Sequence, residues 1–131
     1  MAEDPDVALV RRGYAAFAAG DVQTLSEVIA EDATQYQPGT GGMAGEHKGR
    51  PAILEFYGRL AAETNGSFRA DLQDVYTDGN GRVVAIHRSI GERGGKHLDT
   101  GTALIFTVVD GTARDIHGCQ EDIDEWDEFW A

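Results

Sequence analysis

Three glycine-bearing turns divide the second half of the chain into four segments of strand character. The turns are DGNG at 78–81, RGGK at 93–96 and DG at 110–111. Glycine adopts the positive φ that tight hairpins need, so each turn predicts a reversal between antiparallel neighbours. Three consecutive hairpins predict a strongly twisted meander, curved at its glycines, with strands in FRADLQDVYT, RVVAIHRSIGE, HLDTGTALIFTVV and TARDIHGCQ.

The first half of the chain carries helical patterns instead. Asp4 followed by Pro5 is typical of a helix start, and Gly20 ends that helix. Its apolar stripe consists of Val7, Val10, Tyr14, Phe17 and Ala18. A second helix starts at Asp21, and its inward residues are Val22, Leu25 and Ile29. A third helix begins at Pro51, and its inward residues are Ile53, Phe56, Tyr57 and Leu60.

The segment EDATQYQPG, residues 31–39, predicts a short strand over 33–37 that has no apolar face. A buried polar side chain costs about 1–3 kcal/mol if it is left unpaired, so a dry core is a poor environment for this strand. It faces either a ligand cavity or solvent at an exposed edge. The glycine-rich stretch PGTGGMAGEHKG that follows predicts a loop.

The order of these elements predicts an α+β fold in a single domain, residues 1–131. Three N-terminal helices pack on one face of a curved antiparallel sheet, which contains the four long strands and the 33–37 strand. A curved sheet closed by helices on one side forms a cone with an interior.

Charge and cysteine content exclude several classes of function. The chain has 23 acidic and 11 basic residues and a net charge of −12, which disfavours nucleic acid and anionic membranes as partners. The single cysteine, Cys119, excludes an internal disulfide and a multi-cysteine metal cluster. No apolar run approaches the roughly 20 residues that span a bilayer. Because the N-terminus MAEDPDVALV is acidic rather than basic, we expect a cytoplasmic protein.

No motif indicates a metal or an organic cofactor. The stretch GTGGMA resembles a dinucleotide-binding fingerprint, but it follows a polar strand and opens no helix, so we interpret it as a loop. The histidines, His47, His87, His97 and His117, lack the spacing of metal ligands. Any chemistry is therefore expected to be cofactor-free.

The chain ends in an acidic segment, EDIDEWDEFWA. Six of the eight residues 121–128 are acidic, whereas Ile123, Trp126, Phe129 and Trp130 are large and apolar. The favoured interpretation is an amphipathic segment whose apolar stripe docks on the body of the protein. The alternative is a partner-binding motif.

Four stretches, together with the hairpin spacings, resemble the SnoaL-like branch of the nuclear transport factor two-like superfamily. They are YAAFAAGD, EDAT, GRPAILEFYGRL and DEFWA, and the similarity covers nearly the whole chain. This resemblance implies the cone-shaped fold and an internal ligand cavity that the 33–37 strand faces. It also implies a homodimer through the outer sheet face around Val84, Ile86, Arg88 and Ile90.

Within this superfamily, the steroid isomerases allow the most detailed comparison. The position that resembles their general base holds Gln37, and an amide cannot take up a proton. The positions that resemble their two oxyanion donors hold Leu104 and Gly13. Tyr14 lies one residue further along the helix and is therefore turned by about 100°. We expect no steroid isomerase of the usual mechanism.

The same comparison implies which strand residues face the interior. His87 and Ser89, with Gly91, face inward on one strand, and Thr102, Leu104 and Phe106 on the next. His87 is the candidate catalytic residue, because a neutral imidazole can give or take a proton near neutral pH. A core histidine with satisfied hydrogen bonds is the alternative. The candidate substrate-binding residues are Gln35, Gln37, Phe56, Tyr57, Ser89, Thr102, Leu104 and Phe106.

The last strand has two possible orientations. Either His117 and Cys119 face inward, or Ile116, Gly118 and Gln120 do, and the resemblance favours the second set. Cys119 has no basic neighbour in sequence to activate it, so we expect an inert thiol. Epoxide hydrolases of this fold use an Asp-Arg-Asp arrangement, which is disfavoured because Arg88 is predicted to face outward.

Two functions remain open. The first is a cofactor-free acid–base enzyme of the cyclase, isomerase or dehydratase type, acting on a small, largely apolar, oxygenated molecule. In it His87 shuttles a proton while Gln35, Gln37, Ser89 and Thr102 orient oxygens. The second is a non-catalytic dimeric module that binds such a molecule without turnover.

Overall fold

The computed structural model describes residues 3–131 as four helices and six strands. In chain order they are α1 (Pro5–Ala19), α2 (Val22–Val28), β1 (Ile29–Gln37), β2 (Gly45–Lys48), α3 (Arg50–Ala62), β3 (Arg69–Thr77), β4 (Arg82–Arg93), β5 (Lys96–Val109), β6 (Thr112–Gln120) and α4 (Ile123–Trp130). The predicted α+β class and the three helices that precede the meander are confirmed. None of the helices in this described part is long and apolar enough to cross a membrane.

The caps of the first two helices are those that the sequence predicts. The Asp4 carboxylate accepts hydrogen bonds from the backbone N–H groups of Asp6 and Val7, at 2.8 and 3.2 Å. Gly20 ends α1 with a φ of 66°, where a side chain would be strained. Two predictions for the second helix are wrong: Val22 is exposed rather than inward, and Ile29 does not belong to the helix. Ile29 starts β1 with an extended backbone and pairs with Ala113, so sheet pairing overrides the helical pattern at this point.

The sheet has the order β2-β1-β6-β5-β4-β3, and strands β3 to β6 form the predicted antiparallel meander. One pair differs from the prediction. Strands β1 and β6 run parallel, with Gln35 opposite Ile116, so the sheet is mixed rather than antiparallel throughout. Turn residues reveal hairpins between neighbouring strands, but they carry no information about strands that are far apart in sequence.

The glycine-rich stretch that predicts a loop contains a further strand. β2 pairs with β1 in antiparallel fashion, with Glu46 opposite Tyr36, and β1 itself extends from Ile29 rather than from residue 33. The prediction of a loop is therefore wrong over residues 45–48. This edge strand is short and mostly polar, so it lacks the alternation of apolar residues that identifies strands.

The acidic C-terminal segment docks on the protein as helix α4. Asp122 caps this helix by accepting a hydrogen bond from the backbone N–H of Glu125 at 3.0 Å. Its aromatic side chains are buried in one cluster with Leu98 on β5 and Phe56 on α3; they are Trp126, Phe129 and Trp130. The segment therefore closes one end of the space between the helices and the sheet, in agreement with the favoured interpretation.

Candidate functional site

A cavity lies between the helices and the inner face of the sheet. It measures about 90 Å³, counted as space that the centre of a water molecule can occupy. A single water needs about 10–15 Å³ by that measure, so the cavity has room for several waters or a small organic molecule. Its wall is mostly apolar, and helical contributions include Val10, Phe17, Val28, Leu60 and Trp126. An apolar wall with a few polar groups is the usual composition of a small-molecule site.

The structure brings all nine residues that the sequence singles out to this one cavity. Strand β1 contributes two of them, helix α3 two, β4 two and β5 three; they are Gln35, Gln37, Phe56, Tyr57, His87, Ser89, Thr102, Leu104 and Phe106. The strand residues meet there because every second side chain of a strand points to the same face. His87 stands directly opposite Thr102 in the register of β4 and β5.

Tyr14 on α1 also reaches the cavity, and its contact with His87 is the principal feature that sequence reasoning missed. The Tyr14 hydroxyl lies 2.6 Å from Nδ1 of His87, and the two rings meet edge to face. The turn of about 100° from Gly13 does not take Tyr14 out of the site, because both residues lie on the cavity wall. The signal was present in the α1 stripe, where Tyr14 follows Val7 and Val10 at inward spacing.

His87 has both ring nitrogens in hydrogen bonds within the protein. Besides the contact of Nδ1 with Tyr14, its Nε2 lies 3.1 Å from the hydroxyl oxygen of Ser89. The side chain is buried, and this burial lowers its pKa to about 4, against a smaller opposing effect of the Asp71 carboxylate. Burial also raises the pKa of Tyr14. At neutral pH the site therefore holds a neutral imidazole beside a protonated phenol.

The hydrogen bonds continue from Ser89 to the rim of the cavity. The Ser89 hydroxyl lies 2.8 Å from that of Thr102, and Thr102 donates to Oε1 of Gln120 at 2.7 Å. One helix and three strands thus contribute to one chain of hydrogen bonds, Tyr14–His87–Ser89–Thr102–Gln120. Side chains held in such a network are fixed in orientation before any ligand arrives.

The polar strand β1 faces the cavity with both glutamines. The buried Tyr57 hydroxyl donates to Oε1 of Gln35 at 2.6 Å, and burial raises the pKa of this tyrosine. Gln37 is 3 % exposed, and its Nε2 has no hydrogen-bond partner among the described residues. Gln120 likewise has a buried Nε2 without a partner there. Two amide N–H₂ groups on the cavity wall are therefore available to hydrogen-bond acceptors of a ligand or to water.

The orientation of β6 follows the alternative that the resemblance favours. Ile116 and Gln120 lie on the cavity wall, whereas His117 and Cys119 are exposed on the outer face. His117 stacks there on Tyr36, with ring centroids 4.7 Å apart. In the described part of the chain, no group of three or more histidine, cysteine or acidic side chains is placed to hold a metal ion.

The sequence profile of the SnoaL-like domain matches residues 10–116 of this chain. The chain belongs to the SnoaL-like family. An uncharacterized protein of Mycobacterium tuberculosis H37Rv, Rv0034, is 35 % identical over 131 residues, which is the full length of both chains. The structure of Bal32a, from a soil-derived mobile gene cassette, is 45 % identical and superposes with a TM-score of 0.96 over 97 % of each chain.

More distant structures extend the similarity at the level of the fold. A putative SnoaL-like polyketide cyclase from Jannaschia sp. CCS1 superposes with a TM-score of 0.80 at 16 % identity, covering 98 % of this chain and 94 % of the other. At that identity the similarity establishes the SnoaL-like architecture alone. The resemblance drawn from the sequence is confirmed, and the fold is the cone-shaped one that it implies.

Proposed function

We propose that this SnoaL-like protein is a cofactor-free acid–base enzyme of the cyclase, isomerase or dehydratase type. Its substrate is a small, largely apolar molecule that carries oxygen. The observation that supports this proposal most strongly is the 2.6 Å contact between Tyr14 and His87 on the wall of an apolar cavity. A proton donor in direct contact with a proton acceptor can perform general acid–base catalysis without a cofactor.

In this proposal Tyr14 is the group that touches the substrate, and His87 acts behind it. The Tyr14 oxygen takes a proton from a carbon next to a substrate carbonyl, while the phenolic proton passes to Nδ1 of His87. The substrate becomes an enolate, Tyr14 stays neutral and His87 becomes an imidazolium. The free amide N–H groups of Gln37 and Gln120 would stabilise the enolate oxygen. Return of the proton to another atom completes an isomerisation, and return to a hydroxyl group that leaves as water completes a dehydration.

The low pKa of His87 determines the free-energy cost of protonating its imidazole in the first step. Protonating a group of pKa about 4 at pH 7 costs roughly 4 kcal/mol. An enolate close to the imidazolium offsets part of this cost, because opposite charges attract strongly in a site from which water is excluded. This barrier contribution is compatible with ordinary turnover.

A second candidate is the non-catalytic binding module. It is favoured by one specific observation, that both ring nitrogens of His87 have hydrogen-bond partners within the protein. In that case Tyr14 and His87 shape the cavity and orient a ligand, but no proton moves.

Deuterium exchange separates the two candidates without knowledge of the natural substrate. β-Tetralone, an apolar two-ring ketone with acidic C–H groups, is incubated with the protein in heavy water, and loss of its C–H signals is followed by NMR. The proposal predicts faster exchange with the wild type than in buffer. It also predicts loss of this acceleration, by about 10²-fold or more, in Tyr14→Phe and His87→Gln. Tyr36→Phe, a tyrosine on the outer sheet face, is the matched control and should retain it. Binding of β-tetralone without faster exchange would support the binding module instead.

We also propose that the protein is a homodimer through the outer sheet face around Val84, Ile86, Arg88 and Ile90. The apolar side chains of Val84, Ile86 and Ile90 are partly exposed and belong to none of the three core clusters of the described residues. Arg88 is already paired with Asp99 at 2.8 Å and Glu121 at 3.2 Å, so its charge is balanced within one chain. A second copy would cover the same face on both chains by two-fold symmetry.

A further inference from the structure

The hydrogen-bond chain that ends at Gln120 has a direction. Thr102 donates its single hydroxyl proton to the carbonyl oxygen of Gln120. The contact between Ser89 and Thr102 therefore needs its proton from Ser89, because a hydroxyl group has one proton to donate. With that proton used, the contact between His87 and Ser89 needs its proton from Nε2 of the imidazole.

The same counting fixes the other side of the imidazole. A neutral histidine carries a proton on one ring nitrogen and a lone pair on the other. Since Nε2 donates to Ser89, Nδ1 has the lone pair and must accept. The Tyr14 hydroxyl therefore donates to Nδ1 over their 2.6 Å contact. Every proton in the chain points from Tyr14 towards Gln120.

We infer that Gln120 is a positioning residue which, through Thr102 and Ser89, holds His87 in its Nε2–H tautomer and makes Tyr14 the donor to Nδ1. Gln120 is partly exposed and forms the last link of the hydrogen-bond chain, two strands away from His87 in the sheet. The carbonyl oxygen of its side-chain amide accepts the last hydrogen bond of this chain, from Thr102. A side chain that could only donate at this position would reverse every bond.

This direction determines what the cavity presents to a ligand. Because the Tyr14 hydroxyl donates its proton to His87, only the lone pairs of its oxygen are available to a ligand in the cavity. The Nε2 groups of Gln37 and Gln120 show only N–H donors. The matching ligand has a hydroxyl group or an acidic C–H at Tyr14 and a carbonyl oxygen at an amide, as in a keto–enol pair on an apolar frame. This description of the ligand rests on the proposed function, whereas the direction of the chain does not.

Nitrogen-15 NMR of the ligand-free protein tests the direction. Long-range proton–nitrogen correlations distinguish a protonated ring nitrogen from one with a lone pair. We expect His87 at neutral pH to be protonated at Nε2 alone. Thr102→Val removes the link to Gln120 and leaves the buried Ser89 hydroxyl without its acceptor, so Ser89 turns to donate to Nε2. The Nδ1–H tautomer should then appear. Gln120→Glu keeps an acceptor at the end of the chain and should retain the wild-type tautomer.

Thr100→Val is the matched control for the threonine substitution. Thr100 lies on β5 with the same inward parity, is buried, and has a hydroxyl oxygen without a partner among the described residues. Its replacement should leave the His87 signals unchanged. If Thr102→Val does not fold, Gln120→Leu at the half-exposed end of the chain serves instead, with the same expected appearance of Nδ1–H.

Two results would overturn the inference. One is a wild-type His87 protonated at Nδ1. The other is a sole Nε2–H tautomer that persists after the link to Gln120 is removed. The tautomer of His87 is measured in the ligand-free protein and does not depend on turnover. The inference can therefore be tested even if the exchange experiment shows no enzyme activity.

Discussion

The hydroxyl oxygen of Tyr14 lies 2.6 Å from Nδ1 of His87, and this contact on the cavity wall joins helix α1 to strand β4 of the sheet. His87 is buried and Tyr14 is partly buried, so each supplies a hydrogen bond that the other would otherwise lack. The pair is therefore a structural link as well as the proposed chemical centre. Its loss should be visible in stability as well as in activity.

The buried His87 should make stability depend on pH. Its pKa is about 4 in the folded protein and about 6.5 when the chain is unfolded, so the unfolded state takes up the proton first as pH falls. The contribution is fully present above about pH 6.5 and is lost as pH falls towards 4. Between pH 7.5 and 5 the wild type should lose about 2 kcal/mol more unfolding free energy than His87→Gln, measured by urea unfolding. If both proteins lost the same unfolding free energy over this pH range, the low pKa of His87 in the folded protein would be contradicted.

Replacement of Gln37 by leucine should separate folding from binding. The Gln37 Nε2 is buried without a partner among the described residues, so an apolar side chain should leave the unfolding free energy unchanged or slightly raise it. Affinity for β-tetralone, measured by calorimetry, should fall by about 1 kcal/mol or more if this amide binds the carbonyl. Gln73→Leu, at an exposed position of β3, is the control. Unchanged affinity in Gln37→Leu would remove Gln37 from the site.

The homodimer prediction is tested by light scattering at micromolar concentration. The wild type should have the mass of a dimer, and Ile86→Asp should have the mass of a monomer, because a carboxylate would be buried without a partner in the interface. Val22→Asp replaces an exposed apolar side chain on α2, away from the sheet, and should remain dimeric. A monomeric wild type would contradict the proposed use of the outer face.

The protein should not turn over a β,γ-unsaturated ketosteroid above background. Tyr14 does reach the cavity, but Gln37 stands where the general base would be and cannot take up a proton. Leu104 offers no hydrogen bond where the second oxyanion donor would be, and one such donor is typically worth about 10²–10³ in rate. The test is the absorbance of the conjugated ketone product. Robust turnover would show that the residues were matched to the isomerases incorrectly.

The sequence predicted those parts of the fold that local chemistry controls. The hairpin glycines located β3 to β6 closely; TARDIHGCQ, for example, is β6 as the structure has it. The parallel pairing of β1 with β6 and the polar strand β2 were not predicted. Parallel pairing is a contact between distant segments, and a short edge strand without apolar alternation leaves no periodic signal.

The candidate site was predictable to the same extent. The family resemblance, combined with the alternation of side chains along β1, β4 and β5, placed Gln35, His87 and Thr102 on one wall. The roles of Tyr14 and Gln120 were not predicted, although the stripe of α1 already included Tyr14. A hydrogen-bond chain through side chains of a helix and three strands depends on rotamers and on distances of 2.6 to 3.1 Å, and neither is encoded in a periodic pattern.

We propose the cavity that Tyr14 and His87 line as the ligand site, and the five glutamine side chains of the sequence allow this to be tested by NMR. Gln35, Gln37 and Gln120 line the cavity, whereas Gln23 and Gln73 are exposed elsewhere. Their side-chain amide signals, assigned by substitution, are followed in one proton–nitrogen NMR spectrum while β-tetralone is added. We expect saturable shifts of the three cavity amides, with the two exposed amides unchanged. Shifts confined to Gln23 and Gln73, or saturable binding that leaves all three cavity amides unmoved, would contradict it.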